Sequence, residues 1–190
     1  MTKEVIDSLH EVLKNNICTL KRTSTDTTNK VAMCESKMIV VNFDNIPKEY
    51  VKDREWDGVP KSNDALYVDV HGKWYFIEFK NGSIRKDDIY RKLYDSIIML
   101  VDWKIFPDFE FVRNNVKYIL VYNGEKYSKI QESKARSQNY DYIMKLANQE
   151  EKLFEIDRFE KYLFDETHTY TAVSFEKKFV RIKEEEEANG

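Results

Sequence analysis

The chain is poor in the residues that build many familiar sites. Among its 190 residues are only 5 glycines, 2 cysteines and 3 histidines, and each shortage excludes something. With so few glycines, dispersed along the chain, there is no Gly-rich loop to cradle a phosphate, and there is no nucleophile elbow. Cys18 and Cys34 have neither metal-ligand nor redox-motif spacing, which points to reduced thiols in a cytosolic protein. His10, His71 and His168 are scattered, without the paired spacing of a zinc site. No apolar run approaches the length of a bilayer, and the start, "MTKEVIDSLHEVLKNN", is amphipathic rather than basic and then apolar. The expectation is a cytoplasmic protein with no membrane partner. A large net charge is missing too. With 31 Lys and Arg against 34 Asp and Glu, the formal charge is −3, which argues against coating nucleic acid by bulk electrostatics and leaves any such function to a local patch.

What is present is a strong core inside a polar surface, since 14% of residues are aromatic while 34% are charged. The length suits a single domain over 1–190 that needs no disulfide or metal to fold. Its core spans about 38–123, followed by a helical and C-terminal elaboration over 124–183 and an acidic tail over 184–190.

Val5, Ile6, Leu9, Val12 and Leu13 recur at helical spacing, predicting an amphipathic first helix over Lys3 to Lys14 that extends towards Leu20. "KRTSTDTTNK" reads as a loop, and "KMIVVNF" from Lys37 as a short buried strand that ends at Asp44 to Pro47. Lys48 to Asn63 is read as a connection with a helical turn. Two strands, Ala65 to Val70 and Trp74 to Phe79, flank His71 and Gly72. The longest helix is expected over Ile84 to Trp103, on a stripe of Ile89, Leu93, Ile97, Leu100 and Val101, with Ser83 as cap and Asp87 and Asp88 in its first turn. "VKYILVYN" is another apolar strand. Ser128 to Leu153 reads as polar and helix-rich, with a basic first half. Short strands around Phe154 to Phe164, a Thr-rich turn, a helix from about Ser174 to Ile182 and a frayed "EEEEANG" complete the reading. This order describes an α/β sandwich (α+β type) with a central mixed sheet covered on both faces.

Inside the apolar run "LYVDVHGKWYFIEFKNG" sit two charges, Glu78 and Lys80. Alternation puts Trp74, Phe76, Glu78 and Lys80 on one face of the strand and Tyr75, Ile77 and Phe79 on the other. A two-residue turn at His71 and Gly72 would set Asp64 opposite Phe79. A three-residue loop, Val70 to Gly72 with Gly72 in the left-handed position, sets Asp64 opposite Glu78, and glycine in third place favours it. Facing carboxylates repel unless a cation or Lys80 lies between them. Two hard oxygen ligands suit Mg²⁺ or Mn²⁺, and a neighbouring lysine can activate a water and stabilise charge on a phosphorus centre. The competing reading is an edge strand whose charges mark a solvated face, and Trp74 and Phe76 on that face count against it.

"ND" at Asn63 and Asp64, the apolar hairpin, "EFK" from Glu78 to Lys80 and the long helix after it resemble the core motif of the PD-(D/E)XK nuclease superfamily. "KSNDALYVDVHGKWYFIEFKNG", "YILVYN" and "FDETHTYTAVSFEKKF" are similar to a bacterial branch with an FIEFKNG signature. The likeness covers about Met38 to Asn123, and Asn63 replaces the motif's proline. It implies a restriction-endonuclease-like three-layer sandwich, with Asp64 and Glu78 as metal ligands and Lys80 as the catalytic lysine. It also implies an additional acid, for which Glu11 and Glu35 are the candidates. Lys92, Arg85 and Lys86 are candidate phosphate contacts, Lys92 the best of them, though such residues also serve as surface charge paired with Asp87, Asp88 or Asp95.

Two functions follow. One is a Mg²⁺- or Mn²⁺-dependent nuclease whose partner is DNA or RNA, working as a homodimer if it cuts both strands, with a setting in phage or mobile-element conflict by analogy. The other is a non-catalytic immunity protein, inhibitor or regulator on the same fold, with a protein partner.

Overall fold

The computed structural model describes residues 1–26, 30–127 and 153–189. The expected polar helical stretch over 128–152 and the middle of the early loop, 27–29, lie outside the described residues.

The first helix is broken rather than continuous. Thr2 caps α1 (Lys3–Ser8) by accepting from the Val5 N–H. Leu9 and His10 are then extended, and the His10 ring caps α2 (Glu11–Lys14) through the Val12 N–H. Leu9 and Leu13 are both buried, so the apolar stripe carries no trace of the break. Where the helix was expected to run on, β1 (Ile17–Thr19) forms and α3 (Leu20–Thr23) follows. The polar loop contains a small hairpin, β2 (Thr25–Asp26) with β3 (Val31–Ala32).

β4 (Ile39–Asn42) leads through a 3-10 turn, Phe43–Asn45, into α4 (Ile46–Val51). β5 (Ala65–Val68) and β6 (Trp74–Lys80) make the expected hairpin. Gly72 has φ +76°, and the pairs Leu66 with Phe76 and Val68 with Trp74 establish the three-residue loop. Asp69 pins that loop, since its Oδ1 accepts from the N–H groups of His71 (3.0 Å) and Lys73 (2.9 Å).

The long helix α5 (Lys86–Asp102) begins later than expected, with Arg85 rather than Ser83 at its N-cap and no side-chain cap bond. It buries Ile89, Leu93, Ser96, Ile97 and Leu100. α6 (Phe109–Asn115), capped by Asp108, had no counterpart in the sequence reading, and β7 (Val116–Tyr122) follows it directly. Residues Leu153–Phe159 form 3-10 turns with a kink at Phe154 and Glu155, and a single bridge joins Glu160 to Phe164 in place of the expected short strands. The Thr-rich segment is not a turn but β8 (Glu166–Thr171). Its Thr167 and Thr169 point into the protein and are buried, which β-branched side chains do well at a sheet margin.

Among the described residues the main sheet has six strands in the order β1-β4-β5-β6-β7-β8. The first three pairings are antiparallel and the last two parallel, the β6 to β7 crossover running through α5 and α6. The result is a three-layer α/β sandwich with a mixed central sheet. One face of β6 meets α5 and the Phe106 region, with Trp74 and Phe76 against Phe106.

The opposite face is covered by α7 (Ala172–Phe175), a π-helical stretch (Glu176–Val180) and α8 (Arg181–Asn189), which follow one another directly. Phe179 packs on Tyr67 and Tyr75, and Phe175 on Phe79. The acidic tail is therefore helical rather than frayed up to Asn189. Three of its four glutamates have donors: Glu184 accepts from Ser36, Glu186 from Lys183 and Glu187 from the Tyr67 hydroxyl. No helix among the described residues is long and apolar enough to cross a membrane.

Candidate active site

The hairpin register carries one step beyond the Ala65 and Ile77 pair, which puts Asp64 opposite Glu78 on the face beneath α5. The two carboxylates meet there through a third residue. Lys92, from the second turn of α5, places its ammonium 3.0 Å from Asp64 Oδ1 and 2.7 and 2.9 Å from the two oxygens of Glu78. Lys80, two residues along β6 and so on the same side, reaches Glu78 Oε1 at 2.7 Å. The remaining Asp64 oxygen accepts from the Phe79 N–H at 2.6 Å. Every oxygen of the pair is thus engaged.

Burial decides the electrostatics. The Glu78 side chain is 0% exposed, against 19% for Lys92 and 20% for Lys80. Burial, and then the Asp64 charge, push the Glu78 carboxyl up to about 7 against the pull of Lys92 and Lys80. Burial works to lower the Lys92 pKa, but the charges of Glu78 and Asp64 outweigh it and raise it above the ordinary lysine value, so the ammonium stays charged.

A third acid lies within electrostatic reach of the pair. Asp44, in the 3-10 turn after β4, is raised to about 6 by burial and by the Asp64 charge, with Lys92 and Lys80 opposing, and its Oδ1 accepts from Ser62 at 3.4 Å. From sequence, Asp44 reads only as the end of a strand. The available signal was its position directly after the strand that pairs with β5, since the Phe43 N–H bonds the Asp64 carbonyl at 3.1 Å. Neither acid proposed from sequence joins. Glu35 is 72% exposed and paired with Lys21, and Glu11 is exposed in the first turn of α2.

Of the candidate phosphate contacts, the structure brings only Lys92 to the carboxylates. Arg85 pairs with Asp88 at 3.5 Å, and Lys86 pairs with Glu155, both as exposed surface charge at the start of α5.

Two polar atoms beside the cluster stand out. Tyr118 lies on β7 opposite Phe76, on the same face as Glu78, and is 0% exposed. Burial and the charges of Glu78 and Asp64 raise its pKa well above the ordinary value. Asn63 is equally buried and donates to Ser96 Oγ through its N–H (3.0 Å) and Nδ2 (3.1 Å), one turn along α5 from Lys92. Among the described residues neither the Tyr118 hydroxyl nor Asn63 Oδ1 has a hydrogen-bond partner. At the C-terminal end of the parallel β6 and β7 pair, Asn81 Oδ1 accepts from Asn123 Nδ2 (2.9 Å) and Lys126 Nζ (3.2 Å). This makes a polar rim next to Lys80.

The donor chemistry of Asp64 and Glu78, hard carboxylate oxygens facing one another, fits Mg²⁺ or Mn²⁺. The position between them is held by the Lys92 ammonium, so cation and ammonium compete for the same oxygens. Among the described residues no group of three or more His, Cys, Asp or Glu is placed to hold a metal ion. No protein-family model matches the chain, and neither a curated protein nor a solved structure matches it.

Proposed function

We propose that the protein is a metal-dependent nuclease of restriction-endonuclease-like fold, cleaving phosphodiesters of DNA or RNA at Asp64, Glu78 and Lys80. The observation that carries this reading is the meeting of Asp64 and Glu78 under α5, with Lys80 directed onto the same carboxylate. A solvated strand face would not bury a glutamate completely and surround it with two lysines.

In this reading Asp64 and Glu78 hold the divalent cation, which would supply Lewis-acid polarisation of the phosphodiester and ease deprotonation of a water. Lys80, anchored on Glu78, orients the attacking water and stabilises charge on the non-bridging oxygens. Lys92 offers a second ammonium to the phosphate. Asn81, Asn123 and Lys126 supply neutral and cationic donors along the rim, where the sugar-phosphate backbone would run.

The test is cleavage of single- and double-stranded DNA and RNA with Mg²⁺ or Mn²⁺, comparing the wild type with Glu78→Ala and Lys80→Ala. Metal-dependent cutting lost in both variants supports the reading. A folded wild type that cuts none of the substrates overturns it. The result would then favour the second reading, a non-catalytic interaction protein, which draws its support from the closed ion cluster, since Lys80 and Lys92 already neutralise the buried acid. That reading expects copurification with a protein partner and no response to metal.

A further inference from the structure

We infer that Lys92 gates this site: its ammonium is the resident cation of the Asp64 and Glu78 pair, a divalent cation enters only as Lys92 leaves, and a phosphodiester is the anion that draws it away. The inference rests on the nuclease reading and deepens it, because it makes metal and polynucleotide bind cooperatively.

Three observations carry it. The first is saturation. An ammonium has three protons, and Lys92 directs its Nζ at three carboxylate oxygens within 3.0 Å, so it occupies the place that a metal would take. Lys92 and Lys80 differ in this respect. Lys80 is tied to Glu78 alone and arises from the same strand, whereas Lys92 reaches in from α5 on a flexible four-carbon stem that can turn outward without moving the sheet.

The second is charge. Lys92 and Lys80 set two ammonium groups in direct contact with the Asp64 and Glu78 carboxylates. A divalent cation that takes the place of Lys92 leaves that ammonium without an anion in a partly buried setting, where uncompensated charge is costly. A phosphodiester that arrives with the cation gives the displaced Lys92 a new partner.

The third is incompleteness. With Lys92 in place, the Tyr118 hydroxyl and Asn63 Oδ1 remain unpaired among the described residues although both are fully buried, and buried polar groups are nearly always paired. An ammonium has no lone pair and no remaining proton to offer them. A hydrated cation brings water, which both donates and accepts.

The experiment is calorimetric titration of Mn²⁺ into the wild type and Lys92→Met, each with and without dimethyl phosphate as an inert phosphodiester. Lys92→Met is expected to bind Mn²⁺ about tenfold more tightly or better than the wild type. Dimethyl phosphate is expected to tighten Mn²⁺ binding to the wild type and not to Lys92→Met. Equal Mn²⁺ affinities in the two proteins overturn the gate and leave the metal site standing, and no effect of dimethyl phosphate on the wild type overturns the cooperativity. Failure of both folded proteins to bind Mn²⁺ overturns the metal reading itself.

If Lys92→Met does not fold, the ¹⁵N resonance of the Lys92 ammonium, assigned against Lys92→Arg, replaces it. That signal should leave its protected position as Mg²⁺ binds the wild type. Persistence of the protected signal with Mg²⁺ bound refutes the gate.

Discussion

Glu78 and Lys92 meet through both oxygens of one carboxylate, at 2.7 and 2.9 Å, although one is at the centre of the sheet and the other on the helix that covers it. The contact joins two layers of the sandwich at a point where the carboxylate is cut off from water and the ammonium is only 19% exposed. Removing one partner therefore leaves the other buried.

Lys92→Met should lower the unfolding free energy by about 3 kcal/mol, the cost of leaving one member of a buried pair uncompensated. The double variant Lys92→Met with Glu78→Gln should recover much of that loss, because it removes the stranded charge. Urea denaturation of the four proteins in this cycle measures it. An additive double variant would mean that the two side chains do not interact energetically.

The pH dependence of stability has an unusual sign at this site. Glu78 is raised to about 7 from 4.5 and Asp44 to about 6 from 3.8 in the folded protein. Between the unfolded and folded values the native state binds more protons than the unfolded chain, so stability falls as pH rises. The contribution is fully present below the unfolded values and lost as pH passes from about 4 to about 7. Glu78→Gln should flatten this slope relative to the wild type, measured as the difference between their thermal melting profiles across that range. Identical profiles would refute the buried, cation-demanding Glu78.

Tyr118→Phe should stabilise the metal-free protein by about 1 kcal/mol, because it removes a buried hydroxyl that has no hydrogen-bond partner among the described residues. Tyr67→Phe is the contrast. Its hydroxyl donates to Glu187 at 2.8 Å, and its loss should cost about 1.5 kcal/mol, at the lower end for a bond to a charged group. Side-by-side denaturation of the two variants checks the ranking.

Asp69→Ala should be the most damaging change outside the site. Burial opposes the ionised form of Asp69, yet bonds from Lys183, the Lys73 N–H and Tyr75 hold its pKa below the ordinary value. One carboxylate therefore docks the C-terminal helix through Lys183 (2.9 Å) and pins the hairpin loop through His71 and Lys73. A loss of about 3 kcal/mol is expected. Because the loop sets the register that brings Asp64 to Glu78, the Mn²⁺ binding proposed for this site should weaken together with stability. Intact Mn²⁺ binding in a folded Asp69→Ala would mean that the register is held by the strands alone.

Much of the site's strand geometry was readable from local chemistry. Gly72 in third place called for a three-residue loop, and strand alternation then put Asp64, Glu78 and Lys80 on one face. The apolar stripe of α5 located the helix above them, with its start displaced by a few residues. These features depend on neighbours in sequence, where backbone geometry constrains the outcome. β8 was misread because threonines resemble a polar turn until their burial beside β7 is known. The tail was misread because the donors that hold its carboxylates, Ser36, Tyr67 and Lys183, lie partly in other layers.

By itself, then, the sequence determined the mixed α/β architecture, the hairpin register and the two facing carboxylates, all consequences of periodicity and turn geometry. Tertiary structure alone decided which acid is third and which lysine lies between the pair. Asp44 enters because a 3-10 turn follows β4 beside the β5 entry, and Glu11 and Glu35 face solvent. Lys92 enters because α5 settles on the sheet with the edge of its apolar stripe over Glu78. That rotation is set by the packing of Ile89, Leu93, Ser96 and Ile97 against residues distant in sequence, and no local pattern specifies it.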